Sequence, residues 1–157
     1  MNSRHSYLQS FLLFIICIFC LQPFLVNADS ELIFRFEQLT IHSINEKHIF
    51  DVEIAETAIQ RRHGLQYRKS LPLNSGMLFI FETVKPITMW MKNTIISLDM
   101  LFISAEGEII KIVNNTIPFS LNPIFSGIPV KGVLELSAGS AKRLKIRIGD
   151  RVYITVL

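Results

Sequence analysis

The sequence predicts a β-rich α+β domain: a small, partly closed, barrel-like sheet, mostly antiparallel, with one or two short helices. Three observations carry that expectation. Apolar and polar residues alternate in several short stretches, the signature of half-buried strands. Two further stretches, Met77 to Phe81 and Leu98 to Ile103, are apolar on both faces, and partial closure is the economical way to bury such strands. The count comes to about seven short strands against two short helices, with no internal repeat and no domain boundary.

The first element is an address. Arg4 and His5 precede an unbroken apolar run from Phe11 to Leu21, Gln22-Pro23 interrupts it, and Val26-Asn27-Ala28 offers a cleavage site after Ala28. Residues 1–28 are therefore expected to be a signal peptide and residues 29–157 a single domain. The alternative is an uncleaved anchor, against which Phe11 to Val26 is shorter than the ~20 residues needed to span a bilayer; no membrane span is expected after cleavage. Ile16 and Phe19 precede Cys17 and Cys20, where a lipoprotein signal needs a small residue. Both cysteines fall in the leader. The exported domain, periplasmic or secreted, is then disulfide-free, with no thiol nucleophile or redox pair, and is long enough to hold together by packing.

In the domain itself, Leu32, Phe34 and Phe36 alternate with Arg35 and Glu37, and Phe50, Val52 and Ile54 alternate with Asp51 and Glu53. Asn45-Glu46-Lys47 is the expected turn between these two strands. Thr57 and Gln60 form a capping box for a short helix, Gly64 is its terminator, and Arg61, Arg62 and His63 suit the negative end of its dipole. A core strand follows over Met77–Phe81. Leu98–Ile103 and Ile109–Val113 form a hairpin with Gly107 at positive φ. Asn114 to Gly132 holds three prolines and no clear period, and reads as a long functional loop. Val133–Leu136 is a strand, Ser137 caps a helical turn over Ala138–Leu144, and Gly149-Asp150 leads into a last strand, Arg151–Val156.

Charge excludes more than it suggests. Of 16 bases and 13 acids, only Arg4 precedes Asp29, so the domain carries a surplus of two. That is no nucleic-acid footprint, and no nucleic-acid partner is expected. Nucleotide-binding, nucleophile-elbow and zinc-protease motifs are absent. His42, His48 and His63 have no metal-ligand spacing, so neither a metal nor a cofactor is expected.

The densest chemistry lies between Met89 and Ile103. Trp90, Lys92, Asn93 and Thr94 stand close to Asp99, an acid inside an apolar strand. Asp99 has two readings. It ties down backbone N–H groups or meets Lys92, or it joins Trp90, Lys92, Asn93 and Thr94 around a ligand pocket. Glu135 is a second acid in an apolar strand, Val133-Leu134-Glu135-Leu136. Asp99 and Glu135 are thus candidate catalytic acids that divide acid and base roles by environment. The alternative for Glu135 is a bond to Arg68 or Lys92. Arg68 is a candidate ligand contact, with structural pairing as its alternative, and Glu53 is expected to be paired.

Several blocks in order resemble a known family, the uncharacterised bacterial and archaeal proteins called domain of unknown function 192. They are Glu53-Ile54-Ala55-Glu56-Thr57, Arg62-His63-Gly64-Leu65-Gln66-Tyr67-Arg68, Gly76-Met77-Leu78-Phe79-Ile80-Phe81, Trp90-Met91-Lys92-Asn93-Thr94 with Leu98-Asp99, Val133-Leu134-Glu135-Leu136 with Ala138-Gly139, and Gly149-Asp150. Gln66, Met89 and Ser97 depart from the usual pattern, which has Met, Phe and Pro there. The resemblance implies a compact β-rich domain, often exported, without an established activity. The functional expectation is a non-catalytic binding domain of the cell envelope, its partner a small molecule, a glycan or an envelope protein. The alternatives are a carboxylate-dependent hydrolase or lyase acting on envelope glycans, and a structural or interaction protein.

Overall fold

The computed structural model describes residues 32–44 and 46–155. The expected leader with Cys17 and Cys20, and Asn45 of the first turn, lie outside the described residues. Seven strands and two short helices follow in the order β1 (Arg35–His42), β2 (Lys47–Ala55), α1 (Ala58–His63), β3 (Ser75–Met89), β4 (Leu98–Ile103), β5 (Ile109–Val113), β6 (Ile124–Ser137), α2 (Ser140–Arg143) and β7 (Arg151–Tyr153). All seven strands join one sheet in the order β5-β4-β6-β3-β2-β1-β7. Every neighbouring pair is antiparallel except β2 and β3. A parallel pair needs a long crossover, and residues 56–74, which include α1, supply it. No described helix is long and apolar enough to cross a membrane.

The sheet bends into a half-barrel, as the doubly apolar strands require. Its two ends meet at one place. The N–H of Val152 donates to the carbonyl of Gly107 at 2.8 Å, and Ile109 N–H donates to the carbonyl of Asp150 at 2.9 Å. Gly107 is obligatory there: its φ is +80°, and a Cβ would lie 2.7 Å from the Val152 carbonyl oxygen.

Alternation along the central strands feeds two cores. Leu39, Phe50, Val52, Leu78, Leu101, Leu134 and Leu136 fill the concave side, where Ala141 of α2 also packs. On the opposite face Met77, Phe79, Met100, Phe102 and Val133 are covered by Leu65, Ile87 and Met91. A fully buried side chain of this kind contributes about 1.5–3 kcal/mol, so both faces of β3, β4 and β6 stabilise the fold.

Local signals translate directly. The Thr57 hydroxyl accepts from Gln60 N–H at 3.2 Å, and the Gln60 side chain accepts from Thr57 N–H at 2.9 Å. Four expectations shift. In β1 the buried residues are Leu39 and Ile41, whereas Phe36 is 69% exposed: pairing of Leu39 with Phe50 sets which parity faces the core. Residues 124–132 form strand instead of loop, and β3 continues to Met89, so the two pair as a ribbon beyond the core sheet. Pro86 lies opposite Pro129, with the register shifting on either side, between Ile80 and Lys85 and between Pro86 and Thr88, an arrangement in which proline's missing N–H disrupts least. Ser137 ends β6 rather than capping α2. Gly139 takes the N-cap position instead, in the left-handed conformation. The last strand stops at Tyr153.

Candidate functional site

Glu135 sits in β6 between Met77 of β3 and Met100 of β4, pointing away from the concave core. It is 3% exposed, and burial alone pushes its carboxyl up to about 8, so it is held protonated at neutral pH. No hydrogen bond or ion pair from the described residues reaches it. It opens instead on a cavity of about 240 Å³, and it is the single acid among the residues lining that cavity.

Three segments build the walls. The first is the end of α1, with Arg61, Arg62, His63 and Gly64, continuing through Leu65 and Gln66. Gly64 donates its N–H to Gln60 at 2.8 Å and turns the chain at φ +51°. A Cβ on it would come within 3.1 Å of the Phe79 ring, so glycine lets the helix end lie against β3. The second wall is β3 itself, with Phe79, Phe81, Thr88 and Met89. The third is the turn after β3, with Trp90, Lys92 and Thr94. That turn is pinned to the first wall by Asn93, whose amide donates to the Gln66 side chain at 3.1 Å and to the Tyr67 hydroxyl at 2.8 Å. Tyr67 N–H returns a bond to the Asn93 carbonyl at 2.9 Å. Asn93 and Tyr67 both hold positive φ, 58° and 63°, so the junction between the walls is locally strained.

The electrostatics of the lining are one-sided. Arg61 is committed: its guanidinium donates to the carbonyls of Glu56 and Ile80 and lies over the Phe81 ring, 5.5 Å from the centroid. Arg62 and Lys92 are exposed and have no ionic partner among the described residues. Trp90 keeps 52% of its surface exposed while Met91 beside it turns into the core.

The residues singled out in the sequence divide into four places. Trp90, Lys92, Thr94 and Glu135 line the cavity. Asn93 braces it from behind, and Arg68 lies outside it. Arg68 forms a two-pronged ion pair with Glu53 at 2.5 Å per contact, and Glu53 stands opposite Met77 in the same cross-sheet row as Glu135. Asp99 projects to the concave face. It is fully buried, and its two oxygens accept from Asn115 N–H and Ala141 N–H, each at 2.9 Å. The register explains the separation: Asp99 pairs with Leu136 and Met100 with Glu135, so the two acids point to opposite sides of the sheet. A mechanism that shares one substrate between them has no common cavity.

Arg62, Gln66, Phe79 and Phe81 line the site without having been singled out. Their roles as cap neighbours and core residues already accounted for them, and only the folded chain brings α1 over β3. Among the described residues no group of three His, Asp or Glu side chains is arranged to hold a metal ion.

A protein of Sinorhizobium meliloti described as a "putative transcription regulator" has a similar structure. It is 42% identical, with a TM-score of 0.77, over 79% of this chain and 97% of that one. A Novosphingobium aromaticivorans protein of unknown function is 32% identical, with a TM-score of 0.74, over 75% of this chain and 84% of that one. No curated protein matches. The family described as an uncharacterized ACR, DUF192, matches residues 32–154. The chain belongs to the domain of unknown function 192 family.

Proposed function

We propose that this is a non-catalytic binding domain of an exported protein, and that its ligand is a small molecule seated in the cavity over Glu135. One observation carries the reading: a buried carboxyl that no protein group satisfies faces an open cavity. A ligand that hydrogen-bonds Glu135 would give this carboxyl the partner that the described residues do not supply. The exposed indole of Trp90 and the Phe79 and Phe81 rings add the apolar wall that small-molecule sites use.

Binding is favoured over hydrolysis because two-carboxylate cleavage needs a second acid in reach of the same substrate, and Glu135 has none in the cavity. The regulator description attached to the Sinorhizobium protein does not redirect this reading. Among the described residues the helices are six and four residues long, too short to act as a recognition helix in a major groove. The test is a thermal-shift screen of monosaccharides and small metabolites against the wild type, Trp90→Ala and Glu135→Leu. Hits that raise the melting temperature of the wild type and lose their effect in both variants are expected. Hits insensitive to both substitutions would place the ligand elsewhere and end this reading.

A further inference from the structure

We infer that the cavity takes a small organic anion, whose carboxylate or phosphate is held by Arg62 and Lys92 while a neutral hydrogen-bonding group reaches Glu135. This rests on the reading of the cavity as a ligand site and names the ligand's class.

Charge is the first ground. Arg61, Arg62 and Lys92 line the cavity, and Glu135 is the one acid there. Arg61 is spent on backbone carbonyls and on the Phe81 ring. Arg62 and Lys92 remain exposed and unpaired among the described residues, on different walls of one cavity. A guanidinium and an ammonium lining one cavity favour an anion there. Other basic side chains show what pairing looks like in this protein: Arg35 reaches Glu37 and Glu56, and Arg68 grips Glu53.

The floor is the second ground. An ionised carboxylate at Glu135 would repel an anion, but burial keeps this group neutral. A neutral carboxyl donates one hydrogen bond and accepts another, which suits a hydroxyl or carbonyl on the ligand's body. Size is the third. At about 240 Å³ the space holds roughly eight waters of ~30 Å³ each, and falls below the usual ~300–1,000 Å³ of drug-sized sites. A monosaccharide-sized acid fits it, and the Trp90 face offers a surface for an apolar side of that body.

Trp90 is the single tryptophan of the chain, so its fluorescence reports occupancy directly. The experiment titrates the full chain with glucose, glucuronate and glucose 6-phosphate, and with benzyl alcohol and phenylacetate, at 50 and 300 mM salt. Acidic members are expected to bind at least tenfold tighter than the neutral member of the same body. That advantage should shrink with salt and fall about tenfold in each of Arg62→Gln and Lys92→Gln. Lys69→Gln, an exposed lysine outside the cavity, should leave it unchanged. Better binding of glucuronate than glucose 6-phosphate assigns a carboxylate, and the reverse assigns a phosphate. Neutral members binding as tightly as acidic ones would overturn the anion inference while leaving the cavity as the site. No Trp90 response to any of the five would overturn both.

Discussion

Asp99 and Glu135 stand on neighbouring strands, one position out of register, and both are buried. On the concave face Asp99 finds two backbone donors, one from the turn after β5 and one from the start of α2. On the other face Glu135 finds none and meets an open cavity. The first acid ties three segments of the fold together. The second is tolerated only because its proton stays on, and the chemistry left unsatisfied is available to a ligand. Burial and an apolar sequence neighbourhood are common to both, so neither property marks a site. What separates them is whether the protein supplies a partner.

The proton on Glu135 should account for the greatest change. In the unfolded chain this acid ionises near its ordinary value of 4.5, and in the folded protein near 8. Between those values the folded state binds more protons, so this group's contribution to stability falls as pH rises. The loss should approach about 1.4 kcal/mol per pH unit and total on the order of 5 kcal/mol by pH 8. Urea denaturation of wild type and Glu135→Gln at pH 5, 6.5 and 8 reads it: the variant should lack this slope and be the more stable protein at pH 8. Parallel slopes for the two proteins would mean that Glu135 is satisfied after all.

Removing Asp99 should act with the opposite sign. Asp99→Ala strands the buried Ala141 N–H and frees the part-buried Asn115 N–H, and should lower stability by about 2 kcal/mol at any pH where the wild type is folded. Asp99→Asn keeps one acceptor oxygen and should lose about half as much. A neutral or stabilising Asp99→Asn would erase the contrast between the two acids.

Glu53 sharpens the contrast because it shares the face of Glu135 yet has a partner. Arg68→Met should cost about 2 kcal/mol, less than the loss of a fully buried pair, because a third of the Arg68 side chain is exposed. A null result in chemical denaturation would show that the face, not the partner, governs how an acid is tolerated. Thr57→Ala should have the smallest effect, about 1 kcal/mol, through loss of the α1 cap. Its cost should appear in the thermal midpoint, while the cavity keeps any ligand response of Trp90.

Legibility in the sequence followed the range of each interaction. The alternation in β2, the Thr57–Gln60 box and the turn at Gly107 are short-range, and each folds as its residues dictate. The ribbon made by the ends of β3 and β6 was hidden because the three prolines and missing period of residues 114–132 point to a loop, until Pro129 is seen facing Pro86 between two register shifts. The cap of α2 was invisible for a similar reason: its acceptor, Asp99, comes from a strand some forty residues earlier. At the site, Trp90, Lys92 and Glu135 stood out because each is chemically out of place in its local segment. Arg62 did not, since a helix dipole explains a cation at that position equally well. Its use becomes visible only when α1 is laid over β3.

The contact between Gly107 and Val152 also bears on how the molecule is made. The sheet closes through partners far apart in sequence, with Thr40 beside Tyr153 and Gly107 beside Val152. Pairings of such long sequence separation slow folding, on the order of milliseconds to seconds for β-rich domains. A nascent chain lacking β7 would hold β1 and β5 as bare edges, so a completed sheet becomes possible only once translation has passed Tyr153.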